Sequence, residues 1–212
     1  MRTMQPALNT APSRILFALC AIAVLTVSLS AKDFVKPAAR PAKTYPAHDD
    51  HSDEKVAIAA DSYDTPDKAK IFSVDFRDHG FLPIFFVVTN DGNQPISIAN
   101  MEVKLITANR SKLTPASSDD IYRRLNNPQA ATRPSPLPIP RKNVKGAITQ
   151  KERDEVESSQ FAAKAVEPHT TQSGFLFFDL GDISLAGAHL DITGVSDSKG
   201  TELMYFEIQI GK

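Results

Sequence analysis

The stretch Ile84-Phe85-Phe86-Val87-Val88-Thr89, running into Asn90-Asp91-Gly92-Asn93 and then Gln94-Pro95-Ile96-Ser97-Ile98, decides the fold class of this chain. β-Branched and aromatic residues fit a pleated strand and Asp-Gly is a strong turn signal, so two strands joined by a tight connection are expected. The first strand is apolar on both faces: Ile84, Phe86 and Val88 point one way, Phe85 and Val87 the other. An antiparallel sheet ordinarily buries one face and wets the other, so this strand needs a cover on each side.

Period-two alternation spreads outward from it. Upstream, Phe72, Val74 and Phe76 alternate with Ser73, Asp75 and Arg77, which predicts a half-buried strand, while Val56-Ala57-Ile58-Ala59 reads as a short edge strand. Pro83 lacks an N–H, so regular pairing of the central strand is expected only after it. Downstream, Ile96 and Ile98, then Met101, Val103 and Leu105, continue the pattern. It resumes after Pro168 with Gly174-Phe175-Leu176-Phe177-Phe178, with Leu190 and Ile192, and with Met204, Phe206, Ile208 and Ile210. Roughly seven or eight strands at this spacing predict a mainly β chain, an immunoglobulin-like antiparallel β-sandwich.

An insertion over residues 109–167 interrupts the sandwich. Pro115 to Leu125 reads as a short helix with Thr114 or Ser117 as N-cap and Asp119 and Asp120 in its first turn. Asn126 to Lys145 carries Pro128, Pro134, Pro136, Pro138 and Pro140 and is expected to be extended. A second helix starts at Thr149, whose spacing from Glu152 is that of a capping box, and runs toward Ala165 before Pro168. Its thin apolar stripe includes Val156 and Phe161, which are expected to pack toward the sheet and supply the missing cover.

The N-terminus reads as an export signal. Arg2 and Arg14 precede the apolar run Ile15 to Leu29, and Ser28-Leu29-Ser30 offers small residues for cleavage. As a helix that run would span roughly 22 Å, short of the roughly 30 Å hydrocarbon core, so a signal peptide over 1–30 is expected, with an uncleaved inner-membrane anchor as the alternative. Cys20, the sole cysteine, falls inside it, so the remainder has no disulfide and no thiolate metal site. Of 24 Lys and Arg against 25 Asp and Glu, only Arg2 and Arg14 lie in that segment, which leaves a near-neutral chain with no general affinity for nucleic acid. Residues 31–55, rich in Ala, Lys and Pro and then polar, are expected to be a disordered linker, with the sandwich domain occupying 56–212.

Three features together, Val88-Thr89-Asn90-Asp91-Gly92, Pro168 and Gly174-Phe175-Leu176-Phe177, resemble bacterial exported immunoglobulin-like domains of the telokin-like kind. The whole chain is also similar to uncharacterised secreted proteins of environmental bacteria. The resemblance implies strands and turns and brings no catalytic residue with it.

Two constellations offer chemistry. His48, Asp50, His51 and Asp53 are the densest group of potential metal ligands. Arg123, Arg124 and Arg141 bracket Pro134, Pro136 and Pro138, an extended cationic run suited to a partner's groove or an anionic polymer. No Gly-x-Ser-x-Gly elbow or phosphate loop is present, and His79, His169 and His189 have no partner that spacing identifies. The expectation is an exported, periplasmic or extracellular non-enzymatic module without a cofactor, engaged in binding or assembly with an envelope protein or polymer. An exported metal-binding protein using the His48/His51 segment is the alternative.

Overall fold

The structure, a computed structural model, describes residues 34–126, 148–181 and 183–211. Its elements follow the chain as β1 (His48–His51), β2 (Val56–Ser62), α1 (Pro66–Ala69), β3 (Phe81–Asn90), β4 (Ile96–Ser97), β5 (Glu102–Ile106) and β6 (Lys112–Leu113). After these come α2 (Ser118–Asn126), α3 (Gln150–Ser159), β7 (Ala165–Val166), β8 (Thr170–Asp179), β9 (His189–Thr193) and β10 (Phe206–Gln209). They build a mainly β protein with two four-stranded antiparallel sheets. Sheet one has the order β1-β2-β3-β8 and sheet two β10-β9-β5-β6, with β4 and β7 forming a small separate pair.

β3 lies at the centre, and every one of its residues is buried. Leu82, Ile84, Phe86 and Val88 face sheet two and share a core with Val103, Leu105, Leu190, Ile192, Phe206 and Ile208. Phe81, Phe85 and Val87 face the other way, beside Phe175 and Phe177 of β8, and are covered by Ala42, Tyr45, Tyr63, Val74, Phe76, Ile121 and Val156. Sheet one is thus the middle of three layers, which is why β2, β3 and the second half of β8 are apolar on both faces. The outer core is aromatic: the Phe175 ring lies 5.1 Å from Phe85 and 4.9 Å, edge-on, from Tyr63. Each fully buried ring contributes about 2 kcal/mol.

The cover comes partly from α3, as expected, and its two key residues divide between the faces. Thr149 and Glu152 form the capping box that starts α3, and Val156 packs on the Phe85/Val87 face. The helix stops at Ser159, short of the expected Ala165, because Gln160 turns extended and Phe161 donates its N–H to the Phe175 carbonyl at 3.0 Å along the free edge of β8. Phe161 then lays its ring edge-on against Phe86, 5.2 Å away on the opposite face. Residues 160–161 therefore act as a strap over the edge of sheet one, and they shield an edge that would otherwise template further pairing.

Several expectations are corrected. The described part of the supposed linker, 34–55, is folded: Phe34 stacks on Phe72 at 5.4 Å, buried Ala42 donates its N–H to Thr89 Oγ1 at 2.9 Å, and β1 pairs with β2. Its polar composition hid a segment in which Phe34, Ala42 and Tyr45 pack into the outer core over sheet one, while Val35 stays exposed. β2, read as an edge strand, is interior, between β1 and β3.

Phe72, Val74 and Phe76 do alternate in burial but sit in irregular turns. The buried Glu155 carboxylate of α3 accepts the N–H groups of Ser73 and Val74, at 2.9 and 3.3 Å, together with the Ser73 hydroxyl. Those groups are thereby drawn away from any strand ladder.

Asn90-Asp91-Gly92 does not close a hairpin. The buried Asn90 side chain donates to the carbonyls of Gln94 and Val166 and accepts the Gly92 N–H, sending the chain across to the β4–β7 pair. Pro83 lies within regular pairing with β8. Its carbonyl accepts the Tyr63 N–H at 2.9 Å, so its polar edge faces the β2 side, just past the last β2 pair, and the missing N–H takes nothing from the β8 ladder. Met204, read in phase with Phe206 and Ile208 as part of the last strand, lies before β10 and is exposed. The expected insertion 109–167 contributes β6 and β7 to the sheets, so of its described part only the stretch from α2 through α3 stands outside them.

Candidate functional site

Alternation in β5, β9 and β10 divides sheet two. Val103, Leu105, Leu190, Ile192, Phe206 and Ile208 point inward, and Glu102, Lys104, His189, Asp191, Glu207 and Gln209 point outward. Of the four faces of the two large sheets, this outer face is the most open among the described residues, although Ile106, opposite His189 on it, is buried. The register sets Asp191 of β9 directly between Lys104 of β5 and Glu207 of β10, and sets His189 beside Gln209.

Its charges are arranged unevenly. Lys104 gives its ammonium to Glu102 at 2.7 Å, and this bond holds the Glu102 carboxyl below the usual carboxylate range. Asp191 and Glu207 are left facing each other across the strands, and His189 Nε2 stands 3.4 Å from Asp191 Oδ1. Gln209 donates from its amide to Glu207 Oε1 at 2.8 Å. One ligand atom from each of His189, Asp191 and Glu207 lies within 4.8 Å of the others.

The residues singled out as metal ligands are not gathered. In a strand, positions three apart fall on opposite faces, so β1 puts His48 and Asp50 on one side and Asp49 and His51 on the other. The His48 imidazole meets the Tyr45 carbonyl at 2.6 Å, and Asp53 lies exposed in the following turn. His51 stacks on Phe206 at 3.9 Å and contacts the Glu54 carboxylate at 2.9 Å. The acids of this segment instead block the edge of β10: Asp49 accepts the Glu207 N–H at 2.9 Å and Glu54 the Met204 N–H at 3.1 Å.

The basic constellation is divided too. Arg123 pairs with Asp120, whose carboxyl is held low chiefly by hydrogen bonds from Ser117. Arg124 pairs with Asp179 and lies over the Phe81 ring, 5.6 Å from its centre. Both line a pocket of about 310 Å³ between α2 and the end of β8, where their charges are already matched. Pro134, Pro136, Pro138 and Arg141 lie outside the described residues, as does the segment 1–30. Asn126 Oδ1 accepts the Ile148 N–H at 2.7 Å, which brings the two ends of 127–147 together.

Elsewhere, His169 Nε2 contacts Asn93 Oδ1 at 3.1 Å. Among the described residues no helix is long and apolar enough to cross a membrane. No known protein family, curated protein or solved structure matches this chain. His189, Asp191 and Glu207 escaped sequence reasoning because their meeting depends on the β9–β10 register. Aligning the outward positions of the last two strands, His-x-Asp against Glu-x-Gln, is the signal that finds them.

Proposed function

We propose that this protein is an exported, non-enzymatic module of immunoglobulin-like architecture that serves binding or assembly at the cell envelope, and that it meets its partner through the outer face of sheet two. The observation that carries this is the covering of the molecule: both faces of sheet one are occupied by the chain itself, which removes the Phe85/Val87 and Phe175/Phe177 surface as a docking site and leaves the polar face of sheet two free. Apart from buried Ile106, the face presents partly and fully exposed charged and amide side chains on rigid strands, which favours a polar or cationic envelope protein or polymer over an apolar one. Export is supported by the charged-then-apolar N-terminal sequence and by the confinement of the one cysteine to it. Two antiparallel sheets sharing one core support the immunoglobulin-like reading.

The experiment is site-specific photocrosslinking in the native host. A photoreactive residue is placed at Lys104 or Thr193 on the outer face, at Lys70 on the far side as control, and at Leu137 in the proline-rich segment. The reading expects one discrete adduct from Lys104 and Thr193 and none from Lys70. An adduct from Leu137 alone would move the contact to the proline-rich segment. A cytoplasmic location of the intact chain would overturn the export.

A further inference from the structure

We propose that His189, Asp191 and Glu207 bind a divalent transition-metal ion of the zinc class on the outer face of sheet two. The three side chains come from adjacent, hydrogen-bonded strands, so their backbones are fixed relative to one another: Glu207 is the cross-strand partner of Asp191, and His189 stands two residues along the same face. Zinc with bonds near 2.1 Å in tetrahedral geometry needs donors roughly 3.4 Å apart. His189 Nε2 and Asp191 Oδ1 already stand 3.4 Å apart, and the whole trio lies within 4.8 Å, a distance that small χ rotations of half-exposed side chains can close.

Charge gives the trio a reason to hold a cation. Like charges directly opposite on neighbouring strands destabilise a sheet. Lys104, directly across from Asp191 on the face, is committed to Glu102, so among the described residues the imidazole of His189 is the basic group that meets the pair, at Asp191. Gln209 holds Glu207 Oε1 and so orients the carboxylate, as outer-shell amides do around metal ligands. One imidazole with two carboxylates suits zinc and its first-row neighbours, whereas calcium asks for six to eight oxygens and magnesium for a near-complete octahedron of them. The remaining coordination position opens to solvent and takes water or a donor from another molecule.

The competing account is that a protonated His189 neutralises Asp191 unaided, and titration with metal separates the two. Calorimetry on the untagged full-length chain uses ZnCl2 as the probe, with MgCl2 as reference, and compares the parent with His189→Ala, Glu207→Gln and His48→Ala/His51→Ala. The site predicts one zinc per chain, affinity lowered at least about tenfold in His189→Ala and in Glu207→Gln, and no change in His48→Ala/His51→Ala. A zinc-induced rise in melting temperature, present in the parent and lost in Glu207→Gln, reads the same event as stabilisation by ligand. Glu207→Gln is isosteric, and its far-UV circular dichroism reports whether it folds. Equal heats in parent and His189→Ala, loss in His48→Ala/His51→Ala alone, or equal binding of magnesium would each overturn the proposal. No partner is present in the cell, so a negative result leaves the contact surface to its own test.

Discussion

A Cβ built on Gly174 would stand 2.5 Å from the Cα of Phe161, with the Gln160 carbonyl oxygen 2.7 Å away. The strap over the edge of β8 therefore rests on backbone and fits only against a residue without a side chain. Gly174→Ala is expected to destabilise the fold by about 3 kcal/mol, the range of overpacking that cannot relax by moving a side chain. Urea unfolding of this variant beside the parent checks it, and equal midpoints would show that the strap is not tightly seated.

Glu155 fastens α3 to the turn that carries Phe72, Val74 and Phe76. Glu155→Ala would leave the backbone N–H groups of Ser73, part-buried, and Val74, buried, without their acceptor and is expected to cost about 3 kcal/mol. Glu155→Gln, which keeps one carbonyl oxygen in place, is expected to cost less. Amide exchange in Ser73 and Val74 should speed up in both variants. Unchanged exchange there would mean that the turn is held by its side chains alone.

Alkaline pH tests the outer core. Burial among Phe85, Phe175 and Phe72, with the Asp61 charge adding to it, pushes the Tyr63 phenol up from 10.0 to about 12. A folded-state pKa raised above the unfolded value contributes stability that is fully present below 10 and is lost as pH rises toward 12. Tyr63→Phe should flatten that decline and remove one late step from the tyrosinate absorbance titration. Tyr122, also held near 12 by burial and by Glu157, should still supply the other. A titration of Tyr63→Phe that keeps both late steps would disprove the assignment.

Asp49 and Glu54 occupy backbone donors along the open edge of β10. Replacing both with alanine leaves the N–H groups of Glu207 and Met204 available to another chain. Asp49→Ala/Glu54→Ala is expected to gain mass with rising concentration in light scattering behind size exclusion, beyond any change in the parent measured beside it. A variant with the parent's mass at every concentration would show that the edge is protected by other means.

Where local and tertiary preferences agree, the fold was legible. The capping box of Thr149 and Glu152, the two-faced β3, the alternation of Leu190 with Ile192 and the helix-start charges Asp119 and Asp120 could be read directly. Reading failed where a distant side chain takes over the local hydrogen bonds. Glu155 lies more than eighty residues from the Ser73 and Val74 amides it captures, and Asn90 reaches Val166 to undo a hairpin its own neighbours favour. β1 was missed because His-Asp-Asp-His carries no strand preference; β2 and the buried Ala42 and Tyr45 hold it in place. The metal-ligand reading was drawn to residues dense in sequence, whereas the strand period disperses those and the β9–β10 register gathers three that lie up to eighteen positions apart.

The hydrogen bond from the Ile148 amide to the Asn126 side chain holds the end of α2 and the approach to α3 at one fixed place on the body. Whatever occupies 127–147 starts and finishes at one place on the body, so its length is nearly decoupled from the stability of the sheets: each doubling of a closed loop adds only about 0.6 kcal/mol of entropy. That makes this position the natural graft point of the molecule, where a tag, a longer arm or another lineage's sequence can be exchanged while the layers beneath it stay as they are.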